Sequence, residues 1–84
     1  MVTVVISPAA AKQIDRLPLT IRARVLAIVP RLARWPDVSG AKPLHGDLAG
    51  HFRVRTGDYR VQVHLAGNVL VIEKVGHRDG FYDE

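Results

Sequence analysis

Four arginines in the second half of the chain form the pattern best suited to chemistry. Arg53 and Arg55 alternate with apolar residues in the run HFRVRT, so on a β-strand both guanidinium groups point to the same face. Arg60 lies on the next predicted strand, and Arg78 comes just after the last predicted strand. An arginine side chain binds phosphate oxygens through two parallel N–H groups and keeps its charge. We therefore expect the four to converge at one end of a small sheet and to hold a phosphodiester.

Three residues that can exchange protons lie close to these arginines in sequence, namely His51, His77 and Tyr82. Arginine can supply only positive charge, because its guanidinium does not give up a proton in proteins. Histidine is the side chain that exchanges a proton near neutral pH, which favours His77 for that role. A purely structural role remains open, in which Arg53 and Arg55 decorate an exposed strand.

No metal site and no cofactor are predicted. The chain has no cysteine, which excludes disulfides and thiolate-bound metals. The four histidines show no pair spaced four residues apart on a predicted helix, and this spacing is a common way to build a metal site. They are His45, His51, His64 and His77.

The composition is that of one ordinary folded domain spanning residues 1–84. Hydrophobic residues make up 48% and charged residues 24%, which argues against a disordered chain. The start, MVTVVISPAA, lacks a basic segment and has only a short apolar run, so we expect neither a signal peptide nor a membrane span, and a cytoplasmic location. The net charge of +4 is concentrated in the first half and fits a nucleic acid or an acidic protein as partner.

Local patterns predict two helices after a first strand at residues 2–6. Ser7 followed by Pro8 is a typical helix start, and the apolar spacing carries this helix to about Leu17. A second helix, residues 19–34, has an apolar stripe on one side. Pro30 interrupts it, and a kink there is favoured over an end near Val29.

Three further strands are predicted at residues 51–56, 58–65 and 69–75, joined by short glycine-containing turns. The run VLVI is apolar on both faces, which predicts an interior position in the sheet. The order β-α-α-β-β-β predicts an α+β domain, with a helical hairpin on one face of a small, mostly antiparallel four-stranded sheet. The opposite, more open face would carry the arginines.

Taken in order, several short motifs make the chain resemble the RelE/ParE superfamily of toxins from type II toxin–antitoxin pairs. The resemblance spans nearly the whole chain. Its motifs are Leu17-Pro18, Lys42-Pro43-Leu44 with Gly46, Phe52-Arg53-Val54-Arg55, Gly57-Asp58-Tyr59-Arg60, Val75-Gly76-His77-Arg78 and Phe81-Tyr82.

The resemblance implies a RelE-type endoribonuclease that cuts messenger RNA in the ribosomal A site without a metal. In this reaction the 2′-OH of the RNA attacks the adjacent phosphate. By position, the resemblance matches family residues with Arg53, Arg55, Arg60, Arg78 and Tyr82. Arg60 and Arg78 would stabilise the transition state. Tyr82, from the resemblance, and His77, from its chemistry, would share proton transfer, with the assignment of base and acid open. RNA would be positioned by Arg53, Arg55 and His51, and His51 and Asp79 are reserve groups for proton transfer.

Two departures from the family pattern are visible. The second strand carries arginine where well-known members have lysine, and the segment after Arg78 is short and acidic.

Two alternatives to the ribonuclease remain. One is a ParE-like poison of DNA gyrase that acts through protein contact, and the other is an inactive homologue. The expected partner is a cognate antitoxin, whose acidic segment would suit a basic toxin.

Overall fold

The computed structural model describes residues 2–81, in which three short helices pack against one face of a sheet. Strand β1 is Thr3–Ile6. Helices α1, α2 and α3 are Pro8–Asp15, Leu19–Leu26 and Ile28–Leu32. After them come β2 (Lys42–Pro43), a 3₁₀ turn (Gly46–Leu48), β3 (His51–Thr56), β4 (Tyr59–Ala66) and β5 (Val69–His77).

The sheet has five strands in the order β1-β5-β4-β3-β2. Only the β1–β5 pair is parallel, and the other three pairs are antiparallel. The α+β class and the helical hairpin are confirmed, as is the interior position of the VLVI strand, β5. The predicted count of four strands was one short, because Lys42–Pro43 adds a two-residue edge strand that carries no alternating pattern.

The start of α1 follows the predicted chemistry. Ser7 Oγ accepts a hydrogen bond from the Ala10 amide at 3.1 Å, and Pro8 occupies the first turn. At the other side of α1, Gln13 Oε1 accepts from the backbone N–H of Val75 at 2.7 Å, which ties the helix to β5.

The second predicted helix is divided in two, so the expectation of one kinked helix over 19–34 was wrong. The break falls at Ala27, and Pro30 lies in the first turn of α3. A first turn has no intrahelical partner for its N–H groups, so the donor that proline lacks costs nothing there. The last part of the predicted helix, from Ala33 on, is a turn.

The core lies between the helices and the covered face of the sheet. Ala10, Ile14, Val25, Ile28 and Leu32 contribute from the helices, and Val54, Val61, Val63, Leu70, Ile72 and Val75 from the strands. None of the described helices is longer than eight residues, and none could cross a membrane.

Candidate nucleic-acid interface

The β3–β4 hairpin sets the positions of the arginines. Its two-residue turn, Gly57–Asp58, has Gly57 at φ 59°, a backbone conformation that suits glycine and matches the twist of the strands. In the resulting register Arg55 lies opposite Arg60, and both occupy the sheet face away from the helices. Within residues 2–81 no carboxylate is ion-paired with Arg60. The turn end of the hairpin therefore carries two adjacent guanidinium groups.

Arg78 joins this end of the sheet through its backbone. Its amide donates a hydrogen bond to the carbonyl oxygen of Asp58 in the hairpin turn, at 2.8 Å. Its guanidinium lies between two carboxylates, with Nη1 3.9 Å from Asp58 Oδ1 and Nε 3.6 Å from Asp79 Oδ1. All three side chains are exposed. A phosphate that approached Arg78 would have to replace these carboxylates.

His77 stands next to Arg78 and is held in a defined orientation. The Asp79 amide donates to His77 Nδ1 at 3.2 Å, and the imidazole packs edge-on against Tyr59 with ring centroids 5.2 Å apart. A neutral imidazole that accepts at Nδ1 carries its proton on Nε2. Nδ1 also lies 3.5 Å from Asp79 Oδ2, so a protonated ring would direct Nδ1–H to that carboxylate and present Nε2–H from an exposed position at this end of the sheet. Tyr82, the other predicted proton-transfer residue, lies outside the described residues.

A basic pocket of about 340 Å³ opens beside β2 and β3, near this edge of the sheet. Four cationic side chains line it together with Ser39, Gly40 and Val54, namely Arg31, Lys42, Arg53 and Arg55. Arg31 Nη2 donates to the Ser39 carbonyl at 3.0 Å, which fixes it at the pocket wall. Sequence reasoning missed Arg31 and Lys42 as site residues. Their only signal was the surplus of positive charge in the first half of the chain.

His51 belongs to a different cluster from the one predicted. It lies four residues from Arg55 along β3, about 13 Å at the usual rise of a strand, so it is not grouped with Arg60 and Arg78. Its neighbours are His64, directly opposite on β4, and Glu73 on β5. Helical spacing and cysteine usage do not reveal this grouping, because pairing across neighbouring strands creates it. The prediction of no metal site rested on those two features alone.

Part of the open face is covered by the residues that follow β5. Phe81 is almost fully buried, and its ring lies over Gly76, where an added Cβ would meet Phe81 Cδ1 at 3.4 Å. Lys74 donates to the Phe81 carbonyl and places its ammonium 4.4 Å from the centre of the Phe81 ring. Phe81 thus anchors the chain end beside the arginines.

Comparison with known proteins identifies relatives over almost the full chain, although no family model matches the sequence. A chain in the crystal structure of the toxin–antitoxin complex RelBE2 from Mycobacterium tuberculosis is 35% identical, with a TM-score of 0.79 and coverage of 93% of this chain and 94% of that chain. Toxin RelE3 of Methanocaldococcus jannaschii is 25% identical over 75 residues, which are 86% of this chain and 85% of that protein.

A third comparison shows the fold alone. A chain of the chromosomal ParDE system from P. aeruginosa has a TM-score of 0.74 at 12% identity, over 92% of this chain and 96% of that chain. The architecture is therefore shared between RelE and ParE proteins, and only the side chains can separate the two activities.

Proposed function

The chain belongs to the RelE toxin family, and we propose on this basis that it is a type II toxin that cuts messenger RNA on the ribosome, without a metal or cofactor. The observation that carries the ribonuclease proposal is the juxtaposition of Arg55, Arg60 and the Arg78 backbone at the β3–β4 turn. Three guanidinium groups at one end of a sheet provide a site for the charge that develops on an attacked phosphate.

The reaction draws its nucleophile from the substrate. The 2′-OH of the RNA attacks the adjacent phosphorus, the bond to the 5′-oxygen breaks, and a 2′,3′-cyclic phosphate remains. Arg60 and Arg78 stabilise the extra negative charge of the five-coordinate phosphorus. A base must accept the proton of the 2′-OH, and an acid must give one to the leaving 5′-oxygen.

His77 fits the acid role in this proposal. A neutral imidazole does not give up its N–H proton near neutral pH, so the acid is the protonated ring. In that form Nδ1–H faces Asp79 Oδ2, 3.5 Å away, and the exposed Nε2–H would pass its proton to the leaving oxygen. The base role would fall to Tyr82, which the family resemblance implies. Tyr82 and His77 would then share proton transfer, with His77 as donor and Tyr82 as acceptor.

RNA positioning is assigned to the basic pocket. Arg53 and Arg55 line it, and Arg31 and Lys42 add two charges that could contact phosphates on either side of the cleavage point. Binding of this kind is sequence-independent and weakens as salt rises. The RNA-positioning role of His51 stays a prediction, and this residue lies toward the end of β3 that is far from Arg55.

The proposed partners are an antitoxin and the ribosome, and the proposed place of action is the cytoplasm. The net charge of +4 favours an acidic antitoxin segment, which would fold as it binds and neutralise the basic face. Messenger RNA in the A site would present a single phosphodiester to the arginine end of the sheet.

The test is to map messenger RNA 5′ ends after induced expression of the wild type, Arg60→Ala and Arg78→Ala, with Arg16→Ala as the control. Arg16 is an exposed arginine at the end of α1, in the helical layer. We expect cuts within coding regions, which fall by about 100-fold or more in the two site variants and persist in the control.

Other outcomes separate the competing functions. Growth arrest with intact messenger RNA and trapped gyrase–DNA breaks would assign a ParE-like activity instead. Normal growth on expression of a soluble, folded chain would identify an inactive homologue.

A further inference from the structure

A second cluster of side chains on the open sheet face has the composition of a metal site. His51 and His64 are opposite each other on β3 and β4, with parallel imidazole rings whose centroids are 4.2 Å apart. Glu73 comes from β5 and is hydrogen-bonded to His51 Nδ1 through Oε2. The same carboxylate oxygen accepts from Gln62 Nε2 at 2.8 Å. Three strands thus bring two imidazoles and one carboxylate together.

Alternation along β5 places Glu73 on this face. Leu70 and Ile72 are buried in the core, so Val71 and Glu73 point to the opposite face. The β4–β5 register pairs Gln62 with Lys74 but Val63 with Ile72, which leaves Glu73 as the extra residue of a β-bulge. The bulge places Lys74 on the same face, next to Glu73.

We propose that His51, His64 and Glu73 bind one divalent transition-metal ion. Their candidate ligand atoms all lie within 4.8 Å of one another. A tetrahedral zinc ion with bonds of about 2.1 Å holds neighbouring ligand atoms roughly 3.4 Å apart. Rotation of an imidazole about its second side-chain torsion, which is soft in histidine, closes that difference and turns the rings out of their parallel stack.

The donor set determines which ions fit. Two nitrogens and one oxygen suit Zn²⁺, Co²⁺ and Ni²⁺, whereas Mg²⁺ and Ca²⁺ prefer oxygen ligands alone. Three protein ligands leave a fourth position for water. Gln62 has a positioning role, because its amide orients the Glu73 carboxylate from outside the ligand set.

This site is independent of RNA cleavage and is assigned no step in it. The register places two positive side chains, Arg53 and Lys74, opposite Gln62 and next to the cluster. Their positive charge opposes the binding of a cation, so all three ligands are needed. The loss of any one ligand should therefore weaken metal binding measurably. An ion bound here would add positive charge to the face that carries the arginines.

The experiment measures Zn²⁺ binding to the tag-free chain by calorimetry, and Co²⁺ binding by visible absorption. We expect one ion per chain and no heat from Mg²⁺. His64→Ala and Glu73→Gln should each weaken Zn²⁺ binding by at least about tenfold, and Gln62→Ala should weaken it while keeping every ligand. His45→Ala is the matched control, because His45 is an exposed histidine outside the cluster, and its affinity should stay that of the wild type.

A readout on the wild type alone keeps the test decisive if a variant does not fold. In NMR spectra, Zn²⁺ should shift the ring signals of His51 and His64 and leave those of His45 and His77 in place. Binding that His45→Ala abolishes, equal affinity in the wild type and His64→Ala, or no saturable binding by the wild type would each overturn the proposal.

Discussion

Removing the charge of Asp79 should strengthen RNA binding, because that carboxylate competes with phosphate for Arg78. The Arg78 Nε to Asp79 Oδ1 distance is 3.6 Å, at which two unit charges in water attract by roughly 1 kcal/mol. The side chains are 58% and 77% exposed, so screening reduces this to about 0.2–1 kcal/mol. Asp79→Asn should therefore tighten RNA binding roughly 1.4-fold to fivefold at low salt. Asp58→Asn, whose carboxylate is 3.9 Å from Arg78 Nη1, should give a smaller gain.

The assay is fluorescence anisotropy with a short labelled RNA that carries a 2′-deoxy position at the cleavage point and therefore stays intact. Asp15→Asn is the control, since it changes the net charge equally from an exposed position in the helical layer. The gain should shrink above about 0.5 M salt, where surface charges are screened over a few ångströms. Equal affinities for Asp79→Asn and Asp15→Asn would show that only overall charge matters and would refute the assignment of Arg78 to phosphate.

Three stability predictions follow from burial and backbone geometry and can be checked by urea unfolding. Leu70→Ala should lower the free energy of unfolding by about 2–4 kcal/mol, because Leu70 is fully buried, whereas Leu19→Ala, at a 76% exposed position, should change it little; equal effects would contradict the core described above. Gly57→Ala should lower the free energy of unfolding by about 1–2 kcal/mol, because φ is +59° there. Gly80→Ala should change it little, because an added Cβ at Gly80 has no atom within 4 Å and φ is not in the left-handed region. Ser7→Ala should cost about 1 kcal/mol through loss of the helix cap, and Ser7→Asp should restore it; a neutral Ser7→Ala would mean that the cap adds nothing.

Local patterns in the sequence were enough to predict most of the fold. The Ser7 cap, the apolar stripe of the helices and the alternation within the strands are short-range features, and short-range physics decides them. The hairpin shows how far this extends. A two-residue turn at Gly57–Asp58 determines that Arg55 faces Arg60 and that His51 faces His64. The predicted strands, 51–56 and 58–65, leave only Gly57 between them, so neither this register nor the histidine pair follows from them.

Other features depend on contacts that no local pattern encodes. The edge strand Lys42–Pro43 forms because β3 offers it an open edge, and a proline there predicts no strand. Arg31 reaches the basic pocket only because the chain after α3 folds back to Ser39. The bulge at Glu73 breaks the alternation of β5 between Ile72 and Val75, which are both buried. Each of these needed the packed structure, and together they account for the site residues that were missed.

The parallel pairing of β1 with β5 has a consequence for the order of events during synthesis. Thr3 pairs with Val69, so the first strand to leave the ribosome has no sheet partner until β5 has also been made. Contacts this distant in sequence close slowly, and domains of this kind fold as units. A nascent chain stopped before β5 would lack one side of its sheet and the core residues Leu70, Ile72 and Val75. The arginine face therefore takes shape late, because Arg78 and the strand before it are the last of its parts to be made.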